Sequence, residues 1–221
     1  MAPLTQSPTM GDVLKYSENP NYTNETVTLL TGTNYAVGSV LGQITTAGAT
    51  SVANGGNTGN GVLTVDAVDP VLADAQAGAY KVTIITAATN GGTYTVTGPN
   101  GNPLGNANVA ATFANEIKFV LADGATDFVV GDFFTITVAA GSGKYKLATA
   151  DGTDGAQIAS AVLLMAADAT AADATGVILA RGPAIVSKAA LVFDATVTAG
   201  ALTTTKYAEL TAVGIVPRTS A

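Results

Sequence analysis

The feature that most constrains this chain is the way glycine interrupts its short apolar runs. Glycine occurs 25 times in 221 residues, and the runs between the glycines are rich in Val and Thr. Several runs alternate polar and apolar residues, as in 116–121 (EIKFVL) and 80–86 (YKVTIIT). A period of two indicates strands with one buried face, and Gly-rich breaks indicate tight turns. The sequence therefore predicts a mainly β fold with short helices.

The predicted strands form two groups, which indicates a core that a second domain interrupts. Residues 26–46 and 144–221 are predicted to form the core, and residues 47–143 an inserted small β-sandwich of about five strands. The stretch at 47–61 is rich in Gly, Asn and Thr, and its part at 53–61 is predicted to be a flexible loop or linker. The Gly-Ser-Gly segment at 141–143 leads back to the core. Loop tips of this kind tolerate inserted domains.

Residues 1–25 are predicted to form an extended N-terminal arm. Pro3, Pro8 and Pro20 interrupt any regular element there, and most of the other residues are small or polar. A segment with this little apolar surface cannot become ordered by itself. We therefore expect the arm to become ordered when it binds a partner. A simple frayed terminus is the open alternative. The larger apolar residues of the arm are Leu4, Met10, Val13, Leu14 and Tyr16.

One helix is predicted near the C-terminus, from about Thr203 to Val213. Leu202, Tyr207 and Leu210 share one face at helical spacing, and Gly214 is placed to end the helix. The segment that follows, at 215–217 (IVP), is expected to form a short edge strand.

Charge is sparse, and its balance excludes several classes of partner. The chain carries 9 basic and 16 acidic residues, for a net charge of −7. Without clustered positive charge, we expect no binding to nucleic acid or to anionic membranes. We also expect no transmembrane segment and no secretory signal, because the apolar runs are too short and the first residues lack a basic stretch. Cysteine is absent, so the redox compartment is not constrained.

Candidate chemistry is equally sparse. There is no His and no Cys, which removes the commonest general base and thiolate sites. Ser187 and Lys188 are adjacent rather than spaced as a dyad, and the acidic groups at 66–74 and 151–154 lack the spacing of a calcium loop, so turns explain them better. We expect no enzyme activity, no cofactor and no metal. A carboxylate-dependent hydrolase on a β scaffold is the alternative left open.

Several short stretches, in a fixed order, resemble the lambda-like head decoration proteins of tailed bacteriophages. They lie at 38–45 (GSVLGQIT), 144–147 (KYKL), 151–155 (DGTDG), 161–164 (AVLL), 177–186 (VILARGPAIV) and 210–216 (LTAVGIV). The resemblance implies a β-clip-like core and a homotrimer on the outer surface of the mature capsid. It also implies an N-terminal arm that contacts the major capsid protein. The insertion at 47–143 departs from the minimal family members, and contact between neighbouring trimers is one role open to it.

On this resemblance, the predicted capsid-binding residues are Leu4, Met10, Val13, Leu14 and Tyr16. Arg181, Gly182 and Pro183 are predicted to form a structural turn. The expected location is the virion, on the outer surface of the capsid, after synthesis in the host cytoplasm. The alternative function is a surface-binding β-module of a phage tail or fibre, or of a bacterial surface layer.

Overall fold

The chain is built almost entirely from short strands, which confirms the predicted mainly β class. The computed structural model describes residues 8–219, and these form eighteen strands, three α-helices and one 3-10 turn. The strands are β1 (Leu14–Ser17), β2 (Asn24–Leu29), β3 (Thr33–Tyr35), β4 (Val40–Gln43), β5 (Thr46–Ala53), β6 (Val62–Val65), β7 (Gly78–Ala88), β8 (Gly91–Thr97), β9 (Pro103–Asn108), β10 (Thr112–Ala114), β11 (Lys118–Ala122), β12 (Phe133–Ala140), β13 (Tyr145–Leu147), β14 (Ala161–Leu163), β15 (Ala167–Ala169), β16 (Ala174–Leu179), β17 (Ala184–Ser187) and β18 (Ile215–Arg218). The helices are α1 (Met10–Val13), α2 (Pro20–Thr23) and α3 (Ala201–Ala212), and the 3-10 turn is Lys188–Ala190.

These elements divide into two compact units. Unit 1 comprises the residues up to Ile44, Gly143–Asp151 and the residues from Ala156 onward. Unit 2 comprises Thr45–Ser142 and Gly152–Gly155.

Unit 1 contains a small closed barrel and a separate three-stranded sheet. The barrel follows the order β13-β2-β16-β14-β4, and the sheet follows the order β1-β17-β18. Leu29, Leu41, Leu163 and Ile178, one from each of four barrel strands, meet in a single buried cluster. A second cluster brings β17, β18 and α3 together. Two short strands, β3 and β15, pair antiparallel beside these sheets.

The predicted C-terminal helix is confirmed as α3, and Gly214 follows it with a φ of +80°. This left-handed conformation favours glycine and ends the helix. The buried face differs from the prediction. Leu210 is buried and Tyr207 half-buried, as expected, but Leu202 is exposed and Lys206 is buried in its place.

The N-terminal segment differs from the predicted extended arm. From Met10 onward it forms α1, β1 and α2, and β1 pairs antiparallel with β17. Val13 is fully buried in the same cluster as Val186 and Leu210. The segment has few apolar residues, but Val13 packs against residues that lie far away in the sequence. Composition alone does not reveal such contacts.

Unit 2 is a β-sandwich. Its larger sheet follows the order β5-β12-β7-β8-β9, and its smaller sheet the order β10-β11-β6. Alternate residues of β7, β11 and β12 point inward, which confirms the strands predicted from the alternation. The loop predicted at 53–61 lies between the end of β5 and the start of β6, whereas strand β5 itself, which pairs with β12, was not predicted. The core is rich in aromatic rings, contributed by Tyr80, Tyr94, Phe113, Phe119, Phe128 and Phe134.

Candidate functional site

The N-terminal segment of unit 1 is fixed at its start by a local hydrogen-bond motif. The amide and the hydroxyl of Thr9 both donate to the Asp12 carboxylate at 2.8 Å, while the Asp12 amide donates to the Thr9 carbonyl at 3.0 Å. The Thr9 amide, and then its hydroxyl, hold the pKa of Asp12 below its usual value. This arrangement resembles a capping box and sets the direction in which the chain enters α1.

The structure separates the predicted capsid-binding residues into buried and exposed ones. Val13 is fully buried, so it is not free to meet a partner as predicted, and Leu14 is partly buried against the same core. Met10 and Tyr16 are 48% and 51% exposed. Leu4 lies outside the described residues. The segment is therefore anchored through two apolar side chains and presents two others to solvent.

The anchor explains why Gly38 occupies its position. A β-carbon there would overlap the carbonyl oxygen of Ala190 and would approach a methyl carbon of Val13 to 3.1 Å. Gly38 also has a φ of +85°, a backbone conformation that residues other than glycine rarely adopt. The close approach of these backbones lets Val13 reach the core.

The predicted turn residue Arg181 supports a third exposed side chain. Its Nη1 donates to the carbonyl of Tyr22 at 2.8 Å, and its Nη2 pairs with Glu25. The guanidinium also lies 5.4 Å from the centre of the Tyr22 ring, within the range of a cation–π contact. Tyr22 is 58% exposed, so the arginine holds an aromatic residue that projects into solvent.

The sequence analysis missed Tyr22, although a local signal was present. Asn19 caps α2 by accepting from the Asn21 amide at 3.0 Å, and Pro20 occupies the first helical position. Asn followed by Pro is a frequent start of a helical turn. That turn places Tyr22 on the surface. The partnership with Arg181, which is 159 residues away, has no local signal.

The other two predicted turn residues pack the turn against the end of α3. Gly182 lies so close to Gly214 that a β-carbon would overlap the Gly214 carbonyl oxygen. The peptide between Gly182 and Pro183 is cis. The carbonyl of Pro183 accepts from the Glu18 amide at 3.4 Å. The turn therefore links the N-terminal segment to the C-terminal helix within unit 1.

We use the name N-terminal surface for Met10, Tyr16, Tyr22 and Arg181. The described side chains offer a partner two aromatic rings, a thioether and one cation on well-anchored backbone. Aromatic and Arg side chains held in this way are the types that dominate binding energy at protein interfaces.

The residues considered above for catalysis or metal binding make structural contacts instead. Ser187 is buried and precedes the 3-10 turn, and the Lys188 ammonium lies 4.6 Å from the centre of the Tyr207 ring.

Asp66 accepts from the amides of Val68 and Asp69, as in an Asx turn, and pairs with Lys118 at 3.0 Å. The Asp69 amide, the Lys118 ammonium and the Val68 amide together lower the pKa of Asp66 to about 2. The predicted turn role is confirmed for Asp66.

Two further searches of the described residues gave negative results. Between residues 8 and 219, no three His, Cys, Asp or Glu side chains gather closely enough to hold a metal ion. None of the helices in that range is both long and apolar enough to cross a membrane.

Comparisons with solved structures give only faint likenesses. Two crystal forms of FlgL from Xanthomonas campestris match with TM-scores of 0.30 at 19% and 21% identity; they cover 46% and 48% of this chain and 33% of FlgL. The flagellar hook junction protein FlgK from Burkholderia pseudomallei matches with a TM-score of 0.31 at 24% identity, over 60% of this chain and 23% of FlgK. This chain thus spans a third or less of those proteins, and TM-scores this low carry no argument about its fold.

The comparison with protein families, in contrast, gives a match over nearly the whole chain. No curated protein matches the chain. The family model of the bacteriophage lambda head decoration protein D, however, matches residues 3–215. That span includes the N-terminal surface, the turn at Arg181 and all of unit 2. The chain therefore belongs to the bacteriophage lambda head decoration protein D family.

Proposed function

We propose that this protein binds the outer surface of a mature bacteriophage head as a trimer and stabilises the shell without catalysing a reaction. Membership of the head decoration family, over residues 3–215, is the observation that carries this proposal. The low charge and the absence of His and Cys agree with a role in packing rather than in catalysis.

The N-terminal surface is the proposed contact with the major capsid protein. Tyr16 and Tyr22 provide large apolar area with a polar tip, which suits an interface that is dry in the middle and wet at its rim. Because Val13 and Arg181 anchor the segment, little ordering entropy remains to be lost when it binds. Residues before Met10, with Leu4 among them, extend the proposed contact.

Trimerisation would turn a modest contact into a firm attachment. Three copies of the N-terminal surface bind together, so the second and third contacts form at high effective concentration. A protein that binds only the mature shell stabilises that shell by mass action.

The test is to add the purified protein to mature heads of the same virus assembled without it. Electron microscopy should show added density at the local three-fold positions, and sedimentation of the free protein should give three subunits or a multiple of three. Heads that gain no density, while the free protein is folded, would overturn the proposal.

A paired substitution locates the contact. Tyr16→Ser with Tyr22→Ser should weaken binding to heads by roughly tenfold or more, since interface aromatics commonly contribute over 1 kcal/mol each. Val68→Ser, at a 77% exposed site in unit 2, is the matched control and should bind normally. Truncation should stop before Met10, because a longer deletion removes Val13 from the core. Equal binding by the double variant and the control would exclude the N-terminal surface.

A further inference from the structure

Strand β5 forms one edge of the larger sheet in unit 2 and, within residues 8–219, pairs only with β12. The amide of Asn54 donates to the carbonyl of Phe133 at 3.1 Å, so these two facing residues are a hydrogen-bonded pair of the antiparallel ladder. Since hydrogen-bonded and non-bonded pairs alternate, the backbone groups of Thr50 and Val52 point toward β12. Those of Ala49, Ser51 and Ala53 point away from it, along the free edge.

From Ala49 to Ala53 this edge lacks the usual features that prevent strands from pairing; the irregularity of β5, at Gly48 with a φ of +70°, lies before that stretch. Among the described residues, no protein group bonds to the outward amides or carbonyls of Ala49, Ser51 and Ala53. The strand contains no charge and no proline, and its register is regular from Ala49 to Ala53. Natural sheets protect exposed edges with charges, prolines, bulges or short strands.

The opposite edge of the same sheet is protected. Strand β9 begins with Pro103 and contains Gly105, whose φ is +128°. Its register with β8 shifts between Val96 and Thr97. A proline and an irregularity are both obstacles to adding a strand. One sheet therefore has one closed edge and one open edge.

We propose that β5 pairs antiparallel with β5 of a second copy of this chain, about a twofold axis at Ser51. In this register Ser51 faces Ser51, and Ala49 faces Ala53 of the second copy, so that each facing pair exchanges two backbone hydrogen bonds. Thr50 faces Val52 of the second copy as a non-bonded pair. The twofold makes both copies use the same patch, which closes the assembly at this edge.

The side chains on both faces fit this register. Thr50 and Val52 point to the outer face, where Val52 is 66% exposed, and cross-strand pairs of β-branched residues are favourable. Ala49, Ser51 and Ala53 point to the core side and are small. The Ser51 hydroxyl already donates to the Leu63 carbonyl at 2.9 Å, so pairing leaves no polar side chain unsatisfied there.

Exposed apolar area favours a second copy as the partner, and the lack of charge on β5 permits it. The chain has a net charge of −7, yet this register brings no charged side chain of β5 opposite another. On the core side of the edge lies an open gap of about 240 Å³, lined by Ser51, Ala53, Gly61, Val62, Leu63 and Phe134. Val62 at this gap is 61% exposed, so the paired strand covers apolar surface as well as backbone groups.

This inference goes beyond capsid attachment, because it gives unit 2 a role of its own in joining copies of the protein. It does not depend on the N-terminal surface. Its test uses the full chain in solution, so its failure is distinguishable from a failure to bind heads.

Charge substitutions at the outward positions test the register. Thr50→Glu with Val52→Glu places carboxylates opposite each other, and we expect association at this edge to weaken by at least about tenfold. Thr50→Lys with Val52→Glu places opposite charges in the same pairs and should restore association. Sedimentation over a range of concentrations measures the mass, and circular dichroism verifies folding. A mass unchanged in the double-Glu variant would overturn the proposal.

Cysteines offer a second test, because the chain has none of its own. Non-bonded pairs in antiparallel sheets bring Cα atoms to about 4.5 Å, which is compatible with a disulfide. Thr50→Cys with Val52→Cys should form a covalent dimer under mild oxidation. Thr50→Cys alone should not, since its counterpart in the second copy is offset along the strand. No dimer from the double variant, or equal cross-linking by the single one, would exclude this pairing.

Discussion

Three glycines of unit 1 let backbone meet backbone, whereas two glycines of unit 2 make room for an aromatic ring. β-Carbons at Gly38, Gly42 and Gly182 would overlap the carbonyl oxygens of Ala190, Ala156 and Gly214. In unit 2, Gly59 and Gly61 lie instead against the ring of Phe128. The same residue type therefore serves two kinds of packing.

The difference follows from the size of the core side chains. Unit 2 stacks large rings, so that Phe113 lies 5.2 Å and Tyr94 5.7 Å from Phe119 between ring centres. Unit 1 relies on Ala, Val and Leu, which fill space only when the strands and turns come very close. We infer that unit 2 is more sensitive to the loss of side-chain volume, and unit 1 to the addition of a single methyl group.

The largest effect is expected from Phe119→Ala in unit 2. Phe119 is only 1% exposed, and its removal leaves a cavity among the remaining rings. We expect the free energy of unfolding to fall by about 3–5 kcal/mol. Hydrogen exchange resolved by peptide should show the loss of protection first in unit 2. Val68→Ala is the surface control, and an equal loss in both variants would contradict the aromatic core as the source of stability.

The next effect is expected from Gly182→Ala in unit 1. The added methyl group overlaps the Gly214 carbonyl, so the turn or the end of α3 has to move. We expect a loss of about 1–3 kcal/mol, with lower protection of β17 and β18 in hydrogen exchange. Gly55→Ala is the control, since nothing lies within 4 Å of a β-carbon there. A neutral Gly182→Ala would show that unit 1 yields more easily than its close contacts indicate.

The same contrast explains how much of the structure was predictable. Alternation identified β7, β11 and β12, and helical spacing with Gly214 identified α3, because these signals are local. Strand β5 was not predicted because Thr46–Ala53 lacks large apolar residues; its strand form comes from pairing with β12. Of the predicted capsid-binding residues, Met10 and Tyr16 are exposed whereas Val13 is buried. Tyr22 and its support by Arg181 depend on a contact across 159 residues, which a single sequence does not reveal.

Buried charges sharpen the comparison further, because each unit treats them differently. In unit 1 the ammonium of Lys206, which is 2% exposed, donates to the Gln157 carbonyl and pairs with Glu209 at 3.1 Å. In unit 2 the carboxylate of Asp132, which is 4% exposed, accepts only from backbone amides. The amides of Thr58 and Gly59 lie 2.9 Å and that of Val129 3.1 Å from its oxygens. The buried ammonium in unit 1 has a charged partner, whereas the buried carboxylate in unit 2 is stabilised by uncharged backbone amides.

The smallest expected effect is a pH dependence confined to unit 2. Burial alone would raise the pKa of Asp132, but the amides of Gly59, Thr58 and Val129 outweigh it and hold the pKa below 3.8. A carboxyl whose pKa is lowered by folding stabilises the protein above the unfolded pKa, and this contribution disappears as the pH falls through the folded pKa. Asp132→Asn should therefore lose about 1 kcal/mol at neutral pH, and its difference from the wild type should shrink as the pH falls below 3.8. Peptide-resolved exchange of residues 57–60 and 129–133 between pH 6 and pH 3 measures this, with Asp74→Asn as the control for an exposed carboxyl in unit 2. If wild type and Asp132→Asn lost protection in parallel as the pH fell, the loop would owe its stability to packing, and unit 2 would resemble unit 1 in this respect.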